Sequence, residues 1–127
     1  MFDGQVALID SPGIRDQRGL LVPFDFENLP FIPSRIFTVS QVPAGTVRGG
    51  HGHKKGVQLL IAIEGEIEVI LIAGEQQAVH ILTPGRQGLL IRAGIWFQQK
   101  YLRENSALLV ISSEPYDPDS YFFEPGS

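Results

Sequence analysis

The sequence predicts an all-β domain, a small jelly-roll barrel, and three observations carry that prediction. Fourteen glycines and nine prolines punctuate the chain at short intervals. No stretch between them repeats its apolar residues with helical periodicity. The segments they bound are short and rich in Val, Ile and Leu, either alternating with polar residues or wholly apolar, as strands require. In chain order the predicted strands are 5–9, 20–24, 35–42, 57–63, 66–73, 78–82, 88–91 and 107–112, with a further strand around His51 and His53. Turn chemistry separates most of them: Ser11-Pro12-Gly13, Pro43-Ala44-Gly45, Glu64-Gly65 and Thr83-Pro84-Gly85. The run Glu66-Ile67-Glu68-Val69-Ile70 begins by alternating, so it predicts a strand with one wet face. By contrast, 57–63 and 107–111 are nearly all apolar, as strands covered on both faces are. The tail over 116–123 carries Tyr116, Tyr121, Phe122 and Phe123 and is expected to end in a short helical turn packed on the barrel. Many short antiparallel strands with almost no helix make a sandwich or barrel.

Composition narrows the function. At 127 residues the chain makes one domain, 1–127, that buries roughly two-thirds of its unfolded surface. Fourteen acidic and ten basic residues give a net charge of −4, which argues against nucleic acid as a partner, since that calls for a basic patch or stripe. Without cysteine there is no thiol nucleophile, disulfide framework or zinc–thiolate site. The start, MFDGQVALID, lacks the charged head and apolar core of a signal peptide, and no apolar run is long enough to cross a bilayer. The expectation is a soluble cytoplasmic protein with no membrane partner.

The chemistry concentrates in Gly45-x5-His51-x-His53-x4-Gln58-x6-Gly65, the frame of a cupin motif with one substitution. Side chains alternate along a strand, so His51 and His53 point to the same face and enter the same interior. Metal-binding cupins carry Glu where this chain has Gln58, and an amide brings no charge to offset a cation. The second cupin motif usually closes on a third histidine, but Arg92-x-Gly94-x2-Phe97 places a phenyl ring there. The donor set therefore predicts no metal and no cofactor. Two imidazoles facing an apolar cavity are then general acid–base groups, the bland alternative being surface histidines at a strand end. The glycines before and between them are expected to let a ligand approach the backbone closely.

Arg48 precedes His51 by three residues and is a candidate to clamp a phosphate bidentately. Lys54 and Lys55 flank the pair as solvated strand-end charges, and His80, on a separate strand, reads as a solvated or partner-packed residue. Gln58 can bond a sugar hydroxyl or ketone, and Trp96 can either fill the barrel or stack on a sugar or base. Asp16-Gln17-Arg18-Gly19 reads locally as a turn with an ion pair.

Taken in order, the motifs resemble those of the sugar-nucleotide 3,4-ketoisomerases. They are Asp16-x-Arg18-Gly19, Leu29-Pro30-Phe31, Arg35-Ile36-Phe37, Val42-Pro43-Ala44-Gly45, Arg48-Gly49-Gly50-His51-Gly52-His53-Lys54, Gln58-x-Leu60-Ile61 and Gly88-Leu89-x-Ile91. Gly94-Ile95-Trp96 and the ending Leu109-Val110-x-Ser112-Ser113-Glu114-x-Tyr116-Asp117 complete the set. The resemblance implies a cupin homodimer that moves the ketone of a dTDP-linked 4-keto-6-deoxyhexose from carbon 4 to carbon 3 through an enediol. It implies His51 as base, His53 as proton shuttle, Arg48 and Arg18 at the diphosphate or the enolate oxygen, and Gln58 orienting the sugar.

The chain departs from the pattern on the strand after Arg35, which is usually rich in Tyr and here reads Phe37-Thr38-Val39-Ser40. Arg92 stands where a proline is usual, and Phe97 where a polar residue is usual. These changes keep a second reading in view, a non-catalytic sugar-nucleotide binder. A metal-dependent cupin enzyme is the third, disfavoured by Gln58 and Phe97.

Overall fold

The computed structural model describes residues 2–126. Its strands are β1 (Val6–Asp10), β2 (Ile14–Asp16), β3 (Gly19–Leu21), β4 (Arg35–Val42), β5 (Val47–His53) and β6 (Val57–Glu64). They continue with β7 (Ile67–Ala73), β8 (Gln76–Leu82), β9 (Gln87–Arg92), β10 (Trp96–Tyr101), β11 (Ser106–Ser112) and β12 (Tyr121–Phe122). Two five-stranded sheets, β1-β9-β6-β11-β4 and β12-β5-β10-β7-β8, hold ten of these strands, and β2 and β3 form a separate hairpin. The antiparallel pairs nest, β4 with β11, β5 with β10, β6 with β9 and β7 with β8. Alternate pairs fall in alternate sheets, the signature of one long hairpin rolled up on itself. Among the described residues no ladder joins the two sheets, so the jelly roll is a sandwich with open edges rather than a hydrogen-bonded barrel.

Strand patterning explains the layers. On β7, Ile67, Val69 and Leu71 have no exposed surface and face the first sheet, whereas the intervening residues face outward. These three pack with Val6, Leu82, Leu89, Ile91 and Ile95 into a dry core at the β1-β9/β7-β8 side of the sandwich. The central strands β6 and β11 are apolar on both faces, although the outward face is only partly covered, with Ile63 50% exposed. Their outward Leu59 and Ile111 lie with Leu90 beneath Phe24, Leu29 and Phe31 of the segment between β3 and β4. The predicted strand over 20–24 is thus shorter than expected. After Leu21 the chain leaves the hairpin to cover that outer face.

One strand of the second sheet escapes the periodicity. β10 reads Trp96-Phe97-Gln98-Gln99-Lys100-Tyr101, with Phe97, Gln99 and Tyr101 buried. A polar inward residue at Gln99 masks the alternation, because that position lines a cavity rather than the dry core. The expected helical turn of the tail is present at Pro118–Ser120, capped by the Asp117 side chain accepting from the Asp119 amide. It leads into β12, which pairs with β5.

Candidate active site

The interior widens where the dry core ends. A cavity of about 310 Å3 lies between β4, β11 and β6 on one side and β12, β5 and β10 on the other. Its position follows from the residues of β5. Phe97 pairs with His51, but Gln98 pairs with Gly49, so one residue is inserted in β5 at Gly50. Gly49 and Gly50 adopt φ of +84° and +80°, the left-handed region that residues with a Cβ enter at a cost. The bulge changes the side-chain count. In a regular strand Arg48 and His51, three apart, would face opposite ways. With the insertion, Arg48 pairs opposite Gln99 and His51 opposite Phe97, and all four line the cavity with His53.

The first sheet supplies the facing wall in rows. Ser112 of β11 lies between Arg35 of β4 and Gln58 of β6, and Val110 lies between Phe37 and Leu60. The polar row faces His53: the Gln58 amide nitrogen is 3.1 Å from His53 Nε2. An amide nitrogen only donates, so Nε2 accepts and the ring proton sits on Nδ1. The Arg35 guanidinium carbon stands 4.7 Å from the Phe37 ring centroid and 5.3 Å from that of Tyr116. One guanidinium therefore flanks the His53 side of the pair, and Arg48 flanks the His51 side.

Both imidazoles are held neutral. Burial pushes the His51 pKa below the ordinary 6.5, partly opposed by a hydrogen bond to the Gly49 backbone. His53 is pushed down to about 4, first by burial and then by the charges of His51 and Arg35. The rings stand edge to face with centroids 5.3 Å apart. Tyr121 of β12 lies flat against His51, at 4.4 Å and 8° between planes, and edge-on to His53 at 4.8 Å. Among the described residues no three His, Cys, Asp or Glu side chains converge.

Of the residues singled out from sequence, His51, His53, Arg48 and Gln58 come together in the cavity. Arg18 does not. It sits on the β2–β3 hairpin, 90% exposed, with Nη2 2.6 Å from Asp16 Oδ2, and outside the cavity of its own chain. Trp96 does not line the cavity either. Its neighbour Phe97 faces inward, so by alternation its own ring lies on the outer face, where Nε1 donates to the Phe123 carbonyl at 3.0 Å. It ties down the tail and offers no stacking surface to the cavity. The glycine between the histidines also differs from expectation. A Cβ on Gly52 would collide with the Phe122 ring and the Ile95 carbonyl. Gly52 makes room for β12, not for a ligand. Lys54 and Lys55 anchor the same segment, through the Lys54 amide to the Ser120 carbonyl and an ion pair of Lys55 with Asp117. His80 is half-buried on β8, away from the pair.

Sequence reasoning missed Arg35, Gln99 and Tyr121. Arg35 was visible only as part of a motif, and Gln99 lay in an unrecognised strand. Tyr121 lies 70 positions after His51 in the chain, with no local signal tying it to the pair.

An interior histidine pair, with an amide in the carboxylate position and a phenyl ring in place of the third imidazole, marks a cupin-fold protein whose two imidazoles share one cavity. The sequence model of the WxcM-like, C-terminal (FdtA) family matches residues 4–126, and the chain belongs to that family. It is 29% identical over 115 residues to TDP-4-oxo-6-deoxy-alpha-D-glucose-3,4-oxoisomerase of Aneurinibacillus thermoaerophilus, spanning 90% of this chain and 83% of that protein. Among solved structures it resembles the 3,4-ketoisomerase QdtA of Thermoanaerobacterium thermosaccharolyticum in complex with TDP. That likeness has a TM-score of 0.90 and 31% identity over 95% of this chain and 89% of that one. It also resembles the WlaRB TDP-quinovose 3,4-ketoisomerase of Campylobacter jejuni, with a TM-score of 0.89 and 28% identity over 95% and 94% of the two chains.

Proposed function

We propose that this protein is a 3,4-ketoisomerase of deoxysugar biosynthesis that acts on a TDP-linked 4-keto-6-deoxyhexose. The observation that carries the reading is the pair of imidazoles in one cavity, one tied to Gln58 and the other stacked on Tyr121. His51 takes the proton from carbon 3, which the neighbouring ketone acidifies, and the carbon 4 oxygen gains a proton to give the enediol. Loss of the carbon 3 hydroxyl proton and delivery of a proton to carbon 4 then complete the exchange, with no net oxidation. His53 carries the hydroxyl protons, with Gln58 fixing its ring. The donor set supports a route without metal, since Phe97 and Gln58 stand where a cation would need an imidazole and a carboxylate.

The cavity volume, near the lower end of small-molecule pockets (about 300–1,000 Å3), accommodates the hexose and leaves the nucleotide at the rim. There the exposed Arg48 binds the diphosphate. The protein works as a homodimer. Supporting this, an apolar groove of about 560 Å3 runs over the outer face of the first sheet, with Leu20, Val22, Ile61, Ile63 and Leu109 along it. Arg18, on the exposed hairpin, serves a nucleotide site only when a second copy lies alongside. No helix among the described residues is long and apolar enough to cross a membrane, and we place the protein in the cytoplasm.

A proton NMR time course with TDP-4-keto-6-deoxyglucose in deuterated buffer tests the reaction. We expect a 3-keto product carrying deuterium at carbon 4. Binding of the nucleotide sugar without exchange or product would replace the isomerase with a non-catalytic binder, the reading favoured by Phe37, Thr38 and Val39 along the wall where tyrosines are usual.

A further inference from the structure

We infer that Tyr121, carried by the C-terminal strand, is a positioning residue for the base: its ring fixes His51 and stabilises the imidazolium that forms there. The inference rests on the isomerase reading. β4 offers the cavity no phenol, as its inward residues are Arg35, Phe37 and Val39. The aromatic wall comes instead from a two-residue strand at the far end of the chain, paired with β5 so that Tyr121 lies opposite His53.

The geometry is specific to His51. The two rings are nearly parallel, 8° apart with centroids at 4.4 Å, whereas Tyr121 meets His53 only by its edge. An imidazole has two soft torsions, and each must be held for the lone pair to face a substrate carbon. The stack holds the plane of the His51 ring against rotation. The face of a tyrosine ring also attracts a cation more than a neutral group. That attraction appears as His51 takes up the carbon 3 proton, so it favours the transition state over the bound ground state.

The strand that delivers Tyr121 is built to stay. Phe122 packs into the space left by the missing Cβ of Gly52, and Trp96 Nε1 holds the Phe123 carbonyl. The Lys54 amide holds the Ser120 carbonyl at 2.7 Å. These contacts come from the same short stretch of β5 that carries the histidines, and from the adjoining strand β10.

Steady-state kinetics of Tyr121→Leu and Tyr121→Phe test the role. We expect Tyr121→Leu to lower kcat by roughly 10- to 100-fold, the scale of a misplaced catalytic group, with KM within about twofold. Tyr121→Phe, which keeps the ring, should restore most of kcat. Wild-type kcat in the Leu variant overturns the proposal. So does a Phe variant as slow as the Leu variant, which would make the hydroxyl rather than the stack the active part. A readout independent of turnover uses the native protein. The His51 ring protons should be shifted upfield by the Tyr121 ring and show cross-relaxation with its protons. Absence of both overturns the stack even if Tyr121→Leu does not fold. Inactive wild-type protein that shows both signals would instead refute the isomerase reading.

Discussion

Gln58 decides what kind of imidazole His53 is. An amide donates one hydrogen bond to Nε2 and leaves the ring uncharged. A carboxylate in the same place would attract a proton onto the ring. We therefore expect Gln58→Glu to raise the His53 pKa well above about 4 and to slow turnover, with the pKa read from a nitrogen-detected NMR titration. A His53 that still titrates near its wild-type value would show that burial alone sets it. His51 has the complementary task of accepting a proton from carbon. His51→Asn should abolish turnover while changing the dissociation constant of the nucleotide sugar by less than about threefold, since the neutral ring contributes little charge to binding. Retained turnover in that variant would move the base elsewhere.

At the scale of the element, the Gly49–Gly50 bulge in β5 matters more than any single contact it makes. It brings residues three apart onto one face, which no regular strand does. Removing Gly50 should straighten β5 and leave Arg48 two residues before His51, still on the inward face, so TDP binding should survive the deletion. Arg48→Ala should instead weaken TDP binding by about 2 kcal/mol or roughly 30-fold, the value of a charge-assisted hydrogen bond, in isothermal titration calorimetry. If Arg48→Ala binds TDP as tightly as the native chain, Arg48 is not at the diphosphate.

For the whole molecule, the half-buried histidines make stability depend on pH. His53 has a folded-state pKa of about 4 against an ordinary 6.5, and His51 is lowered too. Between those values the unfolded chain binds more protons than the folded one. The contribution is therefore complete above pH 6.5 and is lost as pH falls towards 4. The full loss from His53 would be about 3 kcal/mol, and about half of that is expected because the ring keeps some contact with solvent. Urea unfolding at neutral and acidic pH should show it, and His53→Asn should flatten the dependence. An unchanged slope would mean that His53 is not held neutral by the fold. Association acts at the same scale. Ile63 is 50% exposed beside the apolar groove, so Ile63→Arg should convert a sedimenting dimer to monomer. A dimer that survives the substitution uses another face.

Local pattern alone determined much of this protein. The Gly and Pro punctuation and the period-two runs marked most of the strands, and β4 was delimited at Arg35–Val42 without error. The same alternation placed His51 and His53 side by side, and the motif spacing put Gln58 and Phe97 where metal ligands would stand. These are properties of neighbours on one strand, which a linear sequence records. Only the tertiary structure decided which distant residues join them. Arg48 enters the cavity because of a bulge, and Arg35 and Gln99 because strand pairing lines them up across the sheets. Tyr121 enters because the chain end returns to β5. Arg18 and Trp96 are left out for the same reason, one on a detached hairpin and the other on the outward side of its strand. A jelly roll closes its site through pairings between residues far apart in sequence, and the periodicity of a single strand carries no information about which of them will meet.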